Sequence, residues 1–380
     1  MANRNLFPTA SKVPVADTKN DAGGKAYSLE SKHALALYAC VGTFENGFYA
    51  TGAQKLERVK DLLSKVNDLE FIAKCAVYAR EQGHMKDVPA FLIAHVFAKD
   101  TEGKIFAKAF PRAIDNGKMF CNFWQVVRSG QVGRKSFGSR AKRTLQAWFS
   151  ARNDRQIFNA SIGTSNPSLA DVIRVVHPKA ETATRAALFG YLSGRNTTQE
   201  NVANLFGKHA DRLKPRGGRI GYRAEDLPDL VKEIEAFKLD QNGLMPDVNF
   251  QLLSSMPLAP RHWMEIADNA SWQTLRMNLN TFFRHGVMND EAVVKRMADK
   301  LRNPEEIKRA RVFPYQLMVA YQTAENIPRD LVEALHDAME IATDNVSIFE
   351  GNLVVCPDVS GSMSSPITGN RGAGSSKVRC

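Results

Sequence analysis

Two groups of residues in this 380-residue chain could do chemistry. Near its end, Asp358-Val-Ser360-Gly-Ser362 sets a carboxylate and two hydroxyls at alternate positions, directly after the apolar β-branched run NLVVCP (352–357). All three are hard oxygen donors of the kind Mg2+ or a similar divalent cation accepts, and Gly361 relaxes the turn between them. The second group is cationic. Residues 104–155 hold 12 basic and only 2 acidic side chains, and residues 179–223 hold 9 against 3. Residues 1–103 nearly balance at 13 against 12, and residues 224–380 are acidic at 16 against 22, so the net charge of +11 resides in the middle of the chain. A localised cationic surface favours a polyanion, because phosphates neutralised by Lys and Arg release condensed counterions.

Other chemistries find no support. The eight histidines (33, 84, 95, 177, 209, 262, 285 and 336) never fall in HExxH spacing, and no GxSxG elbow occurs. Carboxylates are sparse in the basic region, where a metal nuclease would need them. The glycines around residues 215–221 match neither a P-loop nor a dinucleotide fingerprint. A non-enzymatic protein is therefore expected. Five cysteines, odd in number and never in CxxC spacing, argue against structural zinc and disulfides and favour a reducing cytoplasm. The longest apolar run, residues 90–98, is far short of the roughly 20 residues that span a bilayer. The first 21 residues contain no signal-peptide pattern, and a membrane is not expected as a partner.

Helices must position these groups. Residues 1–30 read as a flexible lead-in. From Ser31 the pattern is a succession of short amphipathic helices: Leu56, Val59, Leu62, Leu63 and Val66 share one face, and a helix after Asp68 is expected to end at Gly83 as its C-cap. Further helices are expected at 88–99, 104–115, 119–129, 139–151, 168–176, 180–192, 227–238, 261–285, 290–301 and 314–343. Strand signals are nearly absent before residue 350. An all-α chain of paired helices without a central sheet resembles a solenoid of HEAT-like repeats. Phe120, Phe123, Trp124, Phe137, Trp148 and Phe149 interleave with the basic region, and their near-helical spacing reads as core rather than as base-stacking contacts. Pro215, Gly217, Gly218 and Gly221, among six basic residues from Lys208 to Arg223, read as a mobile basic loop.

Five segments in order resemble the Ro autoantigen, or TROVE-domain, family, in particular its bacterial members: NGFYATGAQKL (46–56), SFGSRAKRTLQAWF (136–149), SLADVIRVVHPK (168–179), RARVFPYQLMVAY (309–321) and LVVCPDVSGSM (353–363). The resemblance implies a monomeric ring of HEAT-like helix pairs over residues 31–350, followed at 351–380 by the first strand and metal-motif loop of an α/β von Willebrand A domain. It implies small non-coding, Y-like RNA on a basic outer surface, single-stranded 3′ ends of misfolded or immature RNA in a central hole, and a role in RNA quality control. An exoribonuclease such as polynucleotide phosphorylase is an implied partner.

The RNA-binding residues expected on this basis are Lys118, Arg128, Arg134, Lys135, Arg140, Lys142 and Arg143 in the first basic segment, His177 and Lys179 after it, and Lys208, Arg212, Arg216 and Arg219 in the basic loop. His177 matches the family's RNA-contacting histidine, and Lys142 and Arg143 its basic pair, with Arg140 offset by one position. Residues 159–166 contain no Lys or Arg, where animal relatives carry further basic contacts. Asp358, Ser360 and Ser362 are the expected metal ligands. Only the first of the three ligand loops of a von Willebrand A domain is present, and such a domain needs on the order of 150 residues more, so weak or no metal binding is expected. The alternative to RNA is a helical-repeat scaffold whose basic face meets acidic proteins. Competition by single-stranded RNA separates the two.

Overall fold

Short helices that cap themselves make up most of the chain. The computed structural model describes residues 15–20, 23–47, 49–164, 166–194, 222–346, 351–359 and 361–364. Thr51, Asn153 and Ser168 each accept a backbone N–H from the third helical position and donate their own backbone N–H to the side chain there. Asp68, Asn116, Thr182 and Asp290 supply simpler N-caps, and Pro260, Pro304 and Pro314 open helices where a missing N–H costs nothing.

The described helices fall into two compact units, residues 1–232 and 233–380. The first contains α1 (Ser31–Val41), α2 (Gly52–Lys65), α3 (Leu69–Glu81), α4 (Asp87–Lys99), α5 (Lys104–Ala113), α6 (Gly117–Ser129), α7 (Ser139–Ser150), α8 (Asp154–Ser161), α9 (Leu169–Val176) and α10 (Ala183–Leu192). Each packs chiefly on helices one or two places away in the chain: α3 on α4 and α5, α4 on α6, α5 on α7, α7 on α9, and α8 on α10. That nearest-neighbour pattern is the mark of a helical-repeat array. In the second unit Trp263, Trp272, Phe282, Leu301, Leu331 and Leu335 share one core, and the buried Trp272 indole donates to the Leu301 carbonyl at 3.1 Å.

Several elements differ from expectation. The helix expected over 261–285 is three: Pro260–Asn269, Trp272–Met277 and Leu279–Arg284. Ser271 breaks it by capping a new start through the Thr274 amide. The helix expected over 314–343 ends at Thr323 and resumes at Arg329, because Pro328 has no N–H and disfavours helix at the residue before it. Helix α3 ends before Gly83, and the left-handed residue there is His84, at φ 53°. Thr18–Lys19 pairs antiparallel with Lys25–Ala26 inside the segment read as a lead-in. Residues 352–359 pair with no strand among the described residues. Leu353, Val354 and Val355 are exposed there rather than buried, since a strand needs a neighbouring ladder to cover it.

Phe120, Phe123, Trp124, Phe137, Trp148 and Phe149 are all buried, as their spacing requires. Phe110 joins Phe106 to Phe120 and Phe123 at centroid distances of 5.0–5.4 Å, and the Trp148 indole donates to the Ile114 carbonyl at 2.6 Å. At the start of α6, a Cβ on Gly117 would lie 1.8 Å from the Ala160 carbonyl oxygen. Backbone blocks it, so side-chain rearrangement cannot relieve the clash. Gly117→Ala is expected to destabilise the protein by about 2 kcal/mol or more, read as a lower urea midpoint. An unchanged midpoint contradicts this packing.

Candidate functional site

Helix α7 and the segment before it carry the cationic residues. Ala141, Leu145, Trp148 and Phe149 bury one face of α7, leaving Arg140 and Arg143 exposed and Lys142 half-buried. The preceding segment, residues 130–138, turns through two left-handed glycines, Gly130 and Gly133, both at φ 82°. It is anchored by Phe137, whose buried ring stacks on Trp124 at 4.5 Å with 7° between planes and on Phe97 at 5.3 Å. With the backbone fixed this way, the Arg134 guanidinium lies 4.5 Å from the Phe97 ring centroid, and its Nε donates to the Ser136 carbonyl at 3.1 Å. Arg128, at the end of α6, donates weakly to the Lys135 carbonyl at 3.4 Å. Arg140 Nη1 donates to the Thr101 carbonyl at 2.7 Å.

Among the described residues, none of Arg128, Arg134, Lys135, Arg140, Lys142 and Arg143 makes an ion pair with a carboxylate. Their neighbours in the same unit do: Arg80 with Asp115 at 2.8 Å, Arg112 with Glu81 at 2.6 Å, Arg174 with Asp171 at 3.0 Å, and Arg185 with Asp154. Arg152 is consumed structurally too, 3.6 Å from the Trp148 ring and bonded to the Trp148 and Asp115 carbonyls. The sequence excess therefore overstates the available charge, and what is available concentrates on α7 and residues 128–135.

Gln146, one turn beyond Lys142 and Arg143, brings in the next residues. Its amide donates to the Val176 and His177 carbonyls at 3.0 and 3.1 Å, docking the end of α9 on α7. His177 is the C-cap of α9 in left-handed conformation, φ 51°, and both His177 and Lys179 are exposed. The His177 carbonyl is thus held one turn beyond Lys142 and Arg143 on α7. Lys118 sits in the first turn of α6, at the end opposite Arg128, where Gly117 meets Ala160. Lys208, Arg212, Arg216 and Arg219 lie outside the described residues. Gln146 and Thr101 were not expected; for Gln146 the signal was its i+3 and i+4 spacing from Arg143 and Lys142, while Thr101 gave none.

Two cavities flank the 130–138 segment. One, about 310 Å3, is lined by Phe97, Thr101, Arg134, Arg140 and Arg143. The other, about 580 Å3, is lined by Lys60, His95 and Lys99 together with Leu63, Phe91 and Val132. Burial first, and the charge of Lys99 second, push the pKa of His95 down to about 4.

The residues described at the chain's end do not assemble a cation site. Asp358 is exposed, Ser360 lies outside the described residues, and no group of three or more His, Cys, Asp or Glu able to hold a metal occurs among those described. No described helix is long and apolar enough to cross a membrane.

The fold is that of a helical-repeat protein. The chain is similar to the RNA-binding protein RO60 of Deinococcus radiodurans, 24% identical over an alignment of 393 residues that covers 94% of this chain and 68% of that protein. Its structure matches the crystal structure of the Deinococcus radiodurans RO (RSR) protein with a TM-score of 0.58 and 19% identity, over 84% of this chain and 65% of that one. The chain thus spans about two thirds of the length of these relatives. No family model matches it.

His95 yields a pH prediction. Its folded pKa, near 4, lies below the value of 6.5 for an unperturbed histidine, so the unfolded chain takes up the proton first as the pH falls. The stability linked to neutral His95 is complete above pH 6.5 and is lost as the pH drops towards 4. The urea midpoint should fall more between pH 7 and 4.5 in the wild type than in His95→Gln. Equal falls would contradict the assignment.

Proposed function

We propose that this protein is a non-catalytic RNA-binding component of a ribonucleoprotein, which holds small structured RNA on the α7 face. The observation that carries this reading is the row of six cations from Arg128 to Arg143 without carboxylate partners among the described residues. Such a cluster repels itself in the free protein and is relieved when phosphates lie against it. Arg134, Arg140 and Arg143 present planar forks suited to phosphate oxygens, and Lys142 adds a point charge. His177, with its ring exposed beside Lys179, can donate to a phosphate or stack on an unpaired base. The name of the Deinococcus relative supports RNA over other polyanions.

The resemblance adds finer features: capture of single-stranded 3′ ends, a part in RNA quality control in the cytoplasm, and an exoribonuclease such as polynucleotide phosphorylase as partner. Lys118, Lys208, Arg212, Arg216 and Arg219 belong to the proposal as outlying phosphate contacts, and Asp358, Ser360 and Ser362 as a divalent-cation motif for which weak or no binding by this chain is expected.

One observation favours a protein-scaffold reading. A groove of about 860 Å3 between α3 and α5 is lined by Val77, Ile105 and the exposed Tyr78, with Glu70, Glu81 and Lys108 at its edges. It lacks the single-sign charge of the α7 face, which is why RNA ranks first.

The test is a gel-shift titration at near-physiological salt with three probes: a stem-loop RNA carrying a single-stranded 3′ tail, the same stem with a blunt end, and matched duplex DNA. Tail-dependent RNA binding is expected. Lys142→Ala/Arg143→Ala should weaken it about tenfold or more and reduce the slope of log affinity against log salt by about two contacts. His177→Ala should weaken the tailed RNA with a smaller change in slope. Equal binding of all three probes would overturn RNA specificity and move the scaffold reading ahead.

A further inference from the structure

The 310 Å3 cavity beside α7 is a site in its own right. Its basic wall consists of Arg134, Arg140 and Arg143, and its inner wall of the buried Phe97. Two of the three guanidinium groups are preset. Arg134 is fixed by the Phe97 ring and the Ser136 carbonyl, and Arg140 by the Thr101 carbonyl. Each bond uses one donor of a five-donor group, leaving the remainder of the fork for a ligand. Arg143 has no protein partner among the described residues. The one carboxylate lining the cavity, Asp100, is occupied in capping α5 through the Gly103 and Phe106 amides at 2.8 and 2.9 Å.

Three positive charges against one engaged carboxylate, in a concavity closed on one side by an aromatic ring, suit a compact dianion. The N-terminus of α7 adds to the field. Its N-cap is Gly138, with no side chain to occupy the first-turn amides, and Gly138 and Ser139 line the cavity. A phosphate monoester carries close to two negative charges at neutral pH, whereas an internal phosphodiester carries one. The internal linkage must also send a chain out on both sides, whereas a terminal monoester continues on one side only.

We infer that the Arg134–Arg140–Arg143 cavity binds a terminal phosphate monoester of an RNA strand. This rests on the RNA reading above and deepens it by assigning end recognition to a named pocket.

The experiment compares four forms of one single-stranded RNA by fluorescence anisotropy: 5′-phosphate, 5′-hydroxyl, 3′-phosphate and 3′-hydroxyl. The proteins are the full chain, Arg143→Gln, Arg140→Gln, and Lys65→Gln as a charge control on α2. One phosphorylated end, 5′ or 3′, should bind about tenfold tighter than its hydroxyl counterpart. Arg143→Gln and Arg140→Gln should abolish that difference and Lys65→Gln should keep it. Arg143 is exposed, so its variant folds; the circular dichroism melt checks this for both.

RNA binding that ignores end phosphorylation would overturn the pocket while leaving the RNA reading intact. A phosphate preference that survives both arginine variants would overturn it equally. If no RNA form binds, the RNA reading falls, and adenosine 5′-monophosphate against adenosine, followed by 31P line width and by thermal shift, still decides the pocket. Stabilisation by the monophosphate, lost in Arg143→Gln, supports a monoester site; no difference between nucleotide and nucleoside overturns it.

Discussion

The stacking of Phe137 on Trp124 fixes the cationic surface in place. Residues 130–138 form no helix or strand, and two left-handed glycines give their backbone freedom. One ring, pressed between Trp124 and Phe97, converts that freedom into a defined path. Everything basic nearby follows from it: Arg134 lies on Phe97, Lys135 presents its carbonyl to Arg128, and Gly138 delivers the chain into α7. Aromatic pairs contribute about 0.5–1.5 kcal/mol each beyond their buried area, so the network from Phe97 to Phe149 also offsets the cost of gathering like charges above it.

That cost explains how the unit's arginines are divided. Arg80, Arg112, Arg174 and Arg185 are paired with acids and serve the packing of helices on one another. Arg152 is anchored on Trp148. Among the described residues the cations from Arg128 to Arg143 lack such partners; Arg128, Arg134 and Arg140 hold backbone carbonyls. Surface ion pairs stabilise by little, so carboxylates here would add almost nothing to the fold. They would, however, cancel the field that draws a polyanion.

Much of this was legible beforehand. The amphipathic spacing of α2 to α7 located those helices to within a few residues, and the charge map pointed to the segment that carries the unpaired cations. Other features depend on contacts that spacing does not encode. Pro328 and the cap at Ser271 split two long helices, and α8 and Pro304–Ala310 were not anticipated. The charge count alone weighs Arg152 equally with Arg143, because burial against Trp148 is a tertiary event. Thr101 as the anchor of Arg140 was likewise hidden. The apolar run at 353–355 read as buried, and is exposed, with no strand to pair with among the described residues.

In the proposed complex, RNA lies along α7 and the end of α9. Ultraviolet crosslinking of the protein to a tailed stem-loop RNA, followed by mass spectrometry of the nucleotide-bearing peptides, maps that contact directly. Crosslinks should fall in peptides spanning residues 128–146 and 174–180. Crosslinks confined to residues 233–346, with none in those two segments, would contradict it.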